Sequence, residues 1–311
     1  MKLSIILPIY NEEDSLKELY GEIKAVLDRL SSDYEIIAVN DGSEDKSLEI
    51  LKGIAETNLK FKVINLRRNY GQTAAISAGI DFAQGDILIP MDADLQNDPA
   101  DIPKLLEKIN QGFDVVSGWR KDRKDKLNRK IPSQIANWLI SFVTRVKLHD
   151  YGCTIKAYKK DIVKNIKFYG EMHRFMPAYA FWYGAKIGEI VVNHRPRKYG
   201  KTKYGISRIF RVVLDLLTVR FLMRYLTKPI HFFGRAGLIS LFFGFLSGIA
   251  AIVLRIQGTH FSRTPLPLLT VFLIMVGIQF ILMGVLAEIL IRIYYEPQQK
   301  SPYSIKGKIN F

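Results

Sequence analysis

Two aspartates separated by one residue are the strongest candidates for chemistry in the sequence. Asp92 and Asp94 follow the apolar run Asp86 to Pro90, and Gln96 lies two residues beyond them. Carboxylates at a strand end can hold one hard cation, because Mg²⁺ and Mn²⁺ prefer a few carboxylate oxygens together with substrate phosphates. Such a cation would neutralise a diphosphate leaving group. The spacing alone is a weak signal, because acidic turns are common.

Two more polar clusters follow apolar runs nearer the N-terminus. Pro8, Tyr10 and Glu12 lie around the end of the first run, and Asp41 begins an Asp-Gly-Ser segment after the second. Asp41 can accept hydrogen bonds from a ribose or a base, and the glycine after it permits close approach of the backbone to a ligand. A plain turn that caps the next helix explains the same segment equally well.

Short apolar runs alternate with amphipathic stretches over residues 1 to 203. The runs are Leu3 to Ile9, Tyr34 to Val39, Phe61 to Leu66, Asp86 to Pro90 and Asp114 to Ser117. Helix-period stretches such as Glu13 to Leu30 and Lys46 to Ala55 lie between them. This alternation predicts an α/β fold with a mostly parallel, Rossmann-like sheet covered by helices on both faces. Ligands of such sheets bind beyond the carboxyl ends of the strands, so the polar clusters should share one edge.

The chain is strongly basic, with a formal net charge of +15 from 45 Lys and Arg against 30 Asp and Glu. This excess indicates anionic partners, such as anionic lipid, phosphorylated substrates or nucleic acid. One basic stretch, Trp119 to Lys130, contains Arg120 and Arg129. Arginine suits a lipid phosphate because its planar guanidinium binds two oxygens at once. The alternative is a solvated basic loop resting on anionic lipid.

The last third of the chain has a different composition. Ala236 to Leu254 and Leu266 to Ala287 carry no charge, and each is long enough to cross a hydrocarbon core of roughly 30 Å as a helix. Two buried core helices are the alternative, but core helices of this length are rarely apolar on all faces. The short connection predicts a hairpin. The expected division is a catalytic domain at 1–203, amphipathic juxtamembrane helices at 204–229, transmembrane helices at about 231–254 and 266–291, and a tail at 296–311.

The distribution of positive charge predicts the side of the membrane. Residues 195 to 235 contain eleven Lys or Arg against one acid, Asp215, whereas the connecting loop offers only Arg255 and Arg263. The positive-inside rule therefore places the catalytic domain and the tail in the cytoplasm, at the inner membrane. The single cysteine, Cys153, fits a reducing compartment.

With these clusters and helices, the sequence resembles the family-2 glycosyltransferases of the GT-A fold. The matching segments are Ile6 to Glu12, Asn40 to Asp45, Asn69 to Gln72 and Asp92 to Gln96. The resemblance is greatest to the polyisoprenyl-phosphate glycosyltransferases, which include dolichyl-phosphate mannose synthase and bacterial undecaprenyl-phosphate glucosyl- and aminoarabinosyltransferases. Asp150 to Cys153 and the two apolar segments resemble the bacterial members most.

The resemblance implies a role for each cluster. The metal, Mg²⁺ or Mn²⁺, and the donor diphosphate would be held by Asp92, Asp94 and Gln96. The donor nucleoside would be bound by Pro8, Tyr10, Glu12 and Asp41. The acceptor phosphate would be bound by Arg120, Arg129 and Ser133, and a loop closing over the diphosphate would supply Arg197, Lys201 and Lys203. The catalytic residues would be Asp94, Arg129 and Asp150.

The implied reaction joins a nucleotide-sugar donor to a polyprenyl phosphate at the membrane. The first choice of donor is UDP-glucose, and GDP-mannose, a UDP-N-acetylhexosamine and an amino-arabinose donor are alternatives. A phosphate monoester is ionised at pH 7 and needs no strong base, so Asp150 would orient the site or act as a weak base. A single displacement would invert the anomeric centre. Because related membrane enzymes associate, a homo-oligomer, dimer or tetramer, is also expected.

Three other functions would require different sequence features. A processive polysaccharide synthase would carry a Q-x-x-R-W motif, but Gln134 is followed by Ile-Ala-Asn-Trp. A nucleic-acid-binding membrane protein would need aromatic residues interleaved with basic ones on a recognisable fold. Anionic lipid explains the basic residues beside the apolar segments, so no nucleic-acid partner is expected. A non-catalytic membrane scaffold is disfavoured by the intact D-x-D pattern.

Overall fold

The computed structural model describes residues 1–30, 32–121, 137, 140–164, 172–196, 198, 229–295 and 302–311. Some predicted features lie outside these residues, namely Arg129, Ser133, Arg197, Lys201, Lys203 and positions 204–228 of the juxtamembrane segment. The chain divides into two compact units. One consists of Met1–Val219 with Ser301–Phe311, and the other of Arg220–Lys300.

A mixed eight-stranded sheet, counted over the described residues, forms the core of the first unit. Its strands are β1 (Leu3–Ile9), β2 (Tyr34–Asn40), β3 (Phe61–Leu66), β4 (Ile87–Pro90), β5 (Val115–Trp119), β6 (Lys156–Lys159), β7 (Ile187–Val191) and β8 (Ile305–Ile309). Their order is β7-β5-β6-β4-β1-β2-β3-β8. The pairs β1/β2, β1/β4, β2/β3 and β5/β7 are parallel, whereas β6 and β8 run antiparallel to their neighbours. The predicted α/β, GT-A-like architecture is confirmed, with these two antiparallel strands as additions.

Helices pack against the sheet. They are α1 (Leu16–Leu27), α2 (Ser47–Thr57), α3 (Gln72–Phe82), α4 (Ile102–Asn110), α5 (Lys160–Val163) and α6 (Met176–Trp182). Helix α1 has one apolar face for packing on the sheet. Its buried residues recur every three or four positions, at Leu16, Leu19, Ile23 and Leu27. The buried strands are mostly apolar on both faces, as a sheet covered by helices requires, with Ser4, Glu35 and Lys62 as buried polar residues.

The C-terminal segment belongs to the sheet. The sequence predicts a tail over residues 296–311, but β8 pairs antiparallel with β3, with Val63 opposite Ile309. Beyond it, Nδ2 of Asn310 donates hydrogen bonds of 2.8 Å to the carbonyl oxygens of Ala55 and Phe61. The hydroxyl of Tyr303 donates to Asp81 at 2.6 Å. The chain therefore returns to the first unit after the two apolar helices.

The second unit is a hairpin of two long apolar helices, α7 (Ile230–Ile256) and α8 (Leu266–Tyr295). Both are long and apolar enough to cross a membrane, and most of their large apolar side chains are exposed. The two helices touch where glycines let the backbones approach, since a Cβ on Gly237 would lie 2.7 Å from the carbonyl oxygen of Gly277. These features fit the predicted transmembrane hairpin.

Candidate functional site

Asp92, directly after β4, is held by two side-chain donors. Nε2 of Gln72 donates to its Oδ1 at 2.6 Å, and Oγ1 of Thr154 donates to its Oδ2 at 2.8 Å. The partly buried setting of Asp92 and the nearby negative charge of Asp94 raise the pKa of Asp92 to about 6. Removal from water and a nearby like charge both disfavour the ionised form of Asp92. A bound cation would instead favour the ionised form. The electrostatics at this strand end therefore suit a cation.

The turn that carries Asp94 is strained and tightly fixed. Leu95 is buried and adopts a φ of 62°, in the left-handed region that residues with a Cβ avoid. The backbone N–H of Gln96 donates to Oδ1 of Asp94 at 3.1 Å. Over the described part of the chain, no cluster of three or more His, Cys, Asp or Glu residues could cage a metal. Asp92 and Asp94 fit a cation that completes its coordination with substrate phosphates, as Mg²⁺ usually does.

The loops after β1 and β2 are interlocked by reciprocal hydrogen bonds. The N–H of Asn11 donates to Oγ of Ser43 at 3.0 Å, and the N–H of Glu44 donates to the side-chain oxygen of Asn11 at 2.8 Å. Pro8, Tyr10 and Glu12 lie in or beside this first loop.

The buried Ser15 connects these loops to the D-x-D turn. Its hydroxyl donates to the carbonyl oxygen of Ala93 at 2.7 Å and is also 3.0 Å from the carbonyl oxygen of Glu12. The structure thus brings the three polar clusters together at one edge of the sheet.

Asp41 fixes a neighbouring loop. Its two carboxylate oxygens accept backbone hydrogen bonds from Tyr70 at 2.7 Å and Gly71 at 2.9 Å, and burial raises its pKa. The loop it holds carries Gln72, which in turn binds Asp92. Asp41 therefore has a structural role that its sequence motif does not predict, and its role in nucleoside binding stays a prediction.

Arg120 and Asp150 form a buried, bidentate ion pair. Nε and Nη2 of Arg120 donate to the two oxygens of Asp150 at 2.6 and 2.9 Å, and their side chains are only 12% and 5% exposed. The sequence predicts separate roles for these residues, phosphate binding for Arg120 and catalysis for Asp150, and does not predict that they pair. Because both oxygens of Asp150 already accept hydrogen bonds from a guanidinium, the geometry favours the orienting role over the base role.

Two further residues support this site and were missed from the sequence. Thr154 positions Asp92, and the buried Lys156 donates from Nζ to the carbonyl oxygens of Tyr151 and Cys153. Burial lowers the pKa of Lys156. By holding those carbonyls, Lys156 fixes the segment between Asp150 and Thr154. Neither residue belongs to a recognisable sequence motif. Their contacts with Asp92 and with the backbone carbonyls become visible only in the folded structure.

The segment that leads into the predicted diphosphate-binding loop of Arg197, Lys201 and Lys203 begins beside the D-x-D turn. The backbone N–H of Arg195 donates to the carbonyl oxygen of Gln96 at 3.0 Å, and its guanidinium contacts Glu22 at 2.8 Å and Asp98 at 2.9 Å. Nζ of Lys198 contacts Glu18 of α1 at 2.7 Å. These pairs bring the start of the loop to the edge that carries the three clusters.

Comparison with known proteins decides the family. A family model described as Glycosyl transferase family 2 matches residues 4–167. The chain belongs to this family. This glycosyltransferase is 43% identical to a dodecaprenyl-phosphate galacturonate synthase of Rhizobium johnstonii, over 98% of the chain and 92% of that protein. It is 36% identical to an undecaprenyl-phosphate 4-deoxy-4-formamido-L-arabinose transferase of Edwardsiella ictaluri, over 99% of the chain and 94% of the relative.

Solved structures show the same fold at low sequence identity. The glycosyltransferase matches glucosyl-3-phosphoglycerate synthase of Mycobacterium tuberculosis, solved with Mn²⁺, UDP and phosphoglyceric acid, with a TM-score of 0.56 and 18% identity. That match covers 70% of this chain and 78% of the other. TarS of S. aureus, solved with UDP-GlcNAc, matches with a TM-score of 0.52 and 20% identity, over 71% of this chain and 67% of that one.

Proposed function

We propose that this glycosyltransferase transfers a sugar from a nucleotide-sugar to the phosphate of a polyprenyl lipid. The observation that carries the proposal is the placement of Asp92 and Asp94 at the carboxyl edge of the sheet, beside two other polar loops. Two kinds of relative, 43% and 36% identical over nearly the whole chain, are named for polyprenyl-phosphate acceptors. The two membrane-length helices agree with a lipid substrate.

A divalent cation, Mg²⁺ or Mn²⁺, would be held by Asp92, Asp94 and Gln96. When bound, it would neutralise charge on the departing nucleoside diphosphate. Gln72 and Thr154 keep the carboxylate of Asp92 in one orientation, which reduces the cost of ordering it when the cation arrives. The Mn²⁺ in the mycobacterial synthase of the same fold supports this assignment.

The acceptor phosphate would be oriented by Arg120, with Arg129 and Ser133. Asp150 accepts from Nε and from one N–H of Nη2 of Arg120. Among the residues that the structure describes, Nη1 and the second N–H of Nη2 remain as the donors that could bind a phosphate oxygen. A phosphate oxygen is already ionised at pH 7 and attacks without a strong base. Catalysis would then depend on positioning and charge neutralisation, and a single displacement would invert the anomeric centre.

The proposed reaction has several versions, which differ in the sugar that the donor carries. UDP-glucose is the choice made from sequence, but the relatives are named for galacturonate and for 4-deoxy-4-formamido-L-arabinose. A thermal-shift panel with Mn²⁺ and the UDP-linked forms of these three sugars, together with UDP-N-acetylglucosamine and GDP-mannose, would distinguish them. The true donor should stabilise the protein most and support transfer to undecaprenyl phosphate. Stabilisation by GDP-mannose alone would exclude the UDP-sugar versions.

The Asp94→Ala variant tests the metal assignment. We expect the full-length variant in lipid vesicles to lose metal-dependent transfer, because one of two carboxylates at the strand end is removed. Glu107→Ala is a matched control, since Glu107 is an exposed acid on α4, away from the strand end. Full metal-dependent transfer by Asp94→Ala would disprove the assignment.

We also propose that the catalytic unit lies on the cytoplasmic face of the inner membrane. Because β8 follows the hairpin and pairs with β3, both ends of the hairpin connect to the same unit. The loop between the helices is then on the opposite side. A Thr259→Cys variant should react with a membrane-impermeant maleimide added outside intact cells, whereas Lys306→Cys should react only after lysis. The reverse pattern would invert the topology.

A further inference from the structure

Three hydroxyl side chains of the membrane hairpin find hydrogen-bond partners inside it. Oγ of Ser240 donates to the carbonyl oxygen of Leu273 at 2.7 Å, and Oγ of Ser247 donates to that of Leu266 at 3.3 Å. Oγ1 of Thr270 donates to the same carbonyl at 2.8 Å. This pairing is expected, because hydrocarbon offers no water to unpaired polar groups.

Gln279 of α8 differs from these three hydroxyl residues because its side chain has no such partner among the described residues of the hairpin. Its side chain is exposed, and no residue in the described parts of the chain forms a hydrogen bond with it. It lies thirteen residues after Leu266 and eight before Ala287, the ends of the membrane-length segment. At about 1.5 Å per residue, this position is within a few ångströms of the middle of the span. The amide is therefore too deep to reach water from either end.

Gln279 also points away from α7. The face of α8 that contacts α7 includes Gly277, whose Cβ would lie 2.9 Å from the carbonyl oxygen of Gly237. Successive helix residues are rotated by about 100°, so Gln279, two positions further on, lies roughly opposite that contact. A partner for the amide must come from outside this hairpin.

The residues in line with Gln279 form a continuous exposed stripe, here called the Gln279 seam. The seam consists of Leu268, Phe272, Met275, Gln279, Leu282 and Leu286, all exposed. Their spacings alternate between four and three residues, which is the heptad spacing of a coiled-coil contact. One polar residue in such a stripe is the arrangement that fixes register between paired helices.

We propose that α8 packs against α8 of a second copy along the Gln279 seam, with the two Gln279 amides hydrogen-bonded to each other. All copies insert in the same direction, so the two helices are parallel and each seam residue faces its equivalent across a two-fold axis. Lipid can cover the apolar seam residues, but it cannot satisfy the amide at this depth. A second copy supplies an amide at the same depth, with both a donor and an acceptor.

Oxidative cross-linking in vesicles of the full-length protein tests the contact. Leu286 and Val285 are neighbours at almost the same depth, but Leu286 belongs to the seam and Val285 is rotated by about 100° from it. We expect Leu286→Cys to form a disulfide-linked dimer and Val285→Cys to form little or none. The natural Cys153 is buried, so the unmodified protein provides the background. Equal cross-linking of both variants, or none, would overturn the proposal.

The role of the amide is tested by resonance energy transfer between labelled copies as the vesicles are diluted with lipid. Gln279→Leu keeps the helix apolar and should raise the dissociation constant about 3- to 30-fold, the range expected for one interhelical hydrogen bond in a membrane. Gln279→Asn should restore most of the association, and Ile278→Leu should not change it. A monomeric natural protein, or an unchanged dissociation constant for Gln279→Leu, would contradict the proposal.

Discussion

The hydroxyl of Thr154 donates a 2.8 Å hydrogen bond to Oδ2 of Asp92, joining residues 62 positions apart in the sequence. The same hydroxyl accepts a 3.0 Å hydrogen bond from Nδ2 of Asn97. Because Oγ1 of Thr154 accepts from one neighbour, its single proton is left for Asp92. Thr154 is therefore a positioning residue for the proposed metal-binding carboxylate.

Replacing Thr154 by valine should weaken metal binding. The isosteric side chain keeps the volume but removes the donor to Asp92 and the acceptor of Asn97. Loss of a group that orients a metal ligand commonly lowers affinity about 10- to 100-fold, and we expect a change in this range for Mn²⁺. Electron paramagnetic resonance titration of free Mn²⁺ measures it without the reaction. Thr154→Ser should keep near-natural affinity, and equal affinities for all three proteins would contradict the role.

Breaking the Arg120–Asp150 pair should destabilise the catalytic unit. Removing one partner leaves an uncompensated buried charge, which typically costs about 3–5 kcal/mol. We expect Asp150→Ala to lower the unfolding temperature in detergent clearly, and the Arg120→Met/Asp150→Ala double variant to lose less than the sum of the single changes. The exposed pair of Lys24 and Asp28 is a control, so Lys24→Ala should change the unfolding temperature little. Strictly additive losses at Arg120 and Asp150 would indicate that the pair is not coupled.

The sequence was sufficient to predict the elements that depend on neighbouring residues. The runs expected at β1 and β3 match the observed strands Leu3–Ile9 and Phe61–Leu66 at both ends. The apolar segments of the hairpin were equally clear. The pattern of apolar residues is a local signal. A strand or membrane helix that is apolar along its whole length appears in the sequence as an uninterrupted apolar run.

Features that depend on distant residues could not be predicted in this way. Strand β8 reads Ile-Lys-Gly-Lys-Ile, and its lysines and glycine are typical of an exposed tail as well as of an edge strand. Lys156 is buried, although lysine is usually exposed, because two backbone carbonyls accept its hydrogen bonds. The pairing of Arg120 with Asp150 joins residues 30 positions apart. Only the fold brings such groups together.

Gly42 should not tolerate a side chain. It has a φ of 68°, and a Cβ there would lie 2.4 Å from the carbonyl carbon of Arg68. We expect Gly42→Ala to destabilise the protein by at least about 1–2 kcal/mol, from the backbone conformation alone, and to loosen the neighbouring loop. Gly53→Ala is the matched control, because its Cβ meets open space within α2 and should stabilise the helix by about 0.5–1 kcal/mol. Thermal unfolding of the two variants measures both changes, and similar shifts would contradict the steric argument.

The stability of strand β8 should depend on the side-chain amide of Asn310. Nδ2 of Asn310 donates to the carbonyl oxygens of Ala55 and Phe61, and Asn310 has a φ of 63° that glycine also adopts readily. Asn310→Gly therefore removes the amide without adding backbone strain, and leaving its acceptors unpaired should cost about 1–3 kcal/mol. We expect faster hydrogen exchange of the β8 amides, whereas Gly307→Ala should leave exchange unchanged because its Cβ meets open space. Unchanged exchange in Asn310→Gly would mean that the β3–β8 ladder holds the strand without this residue.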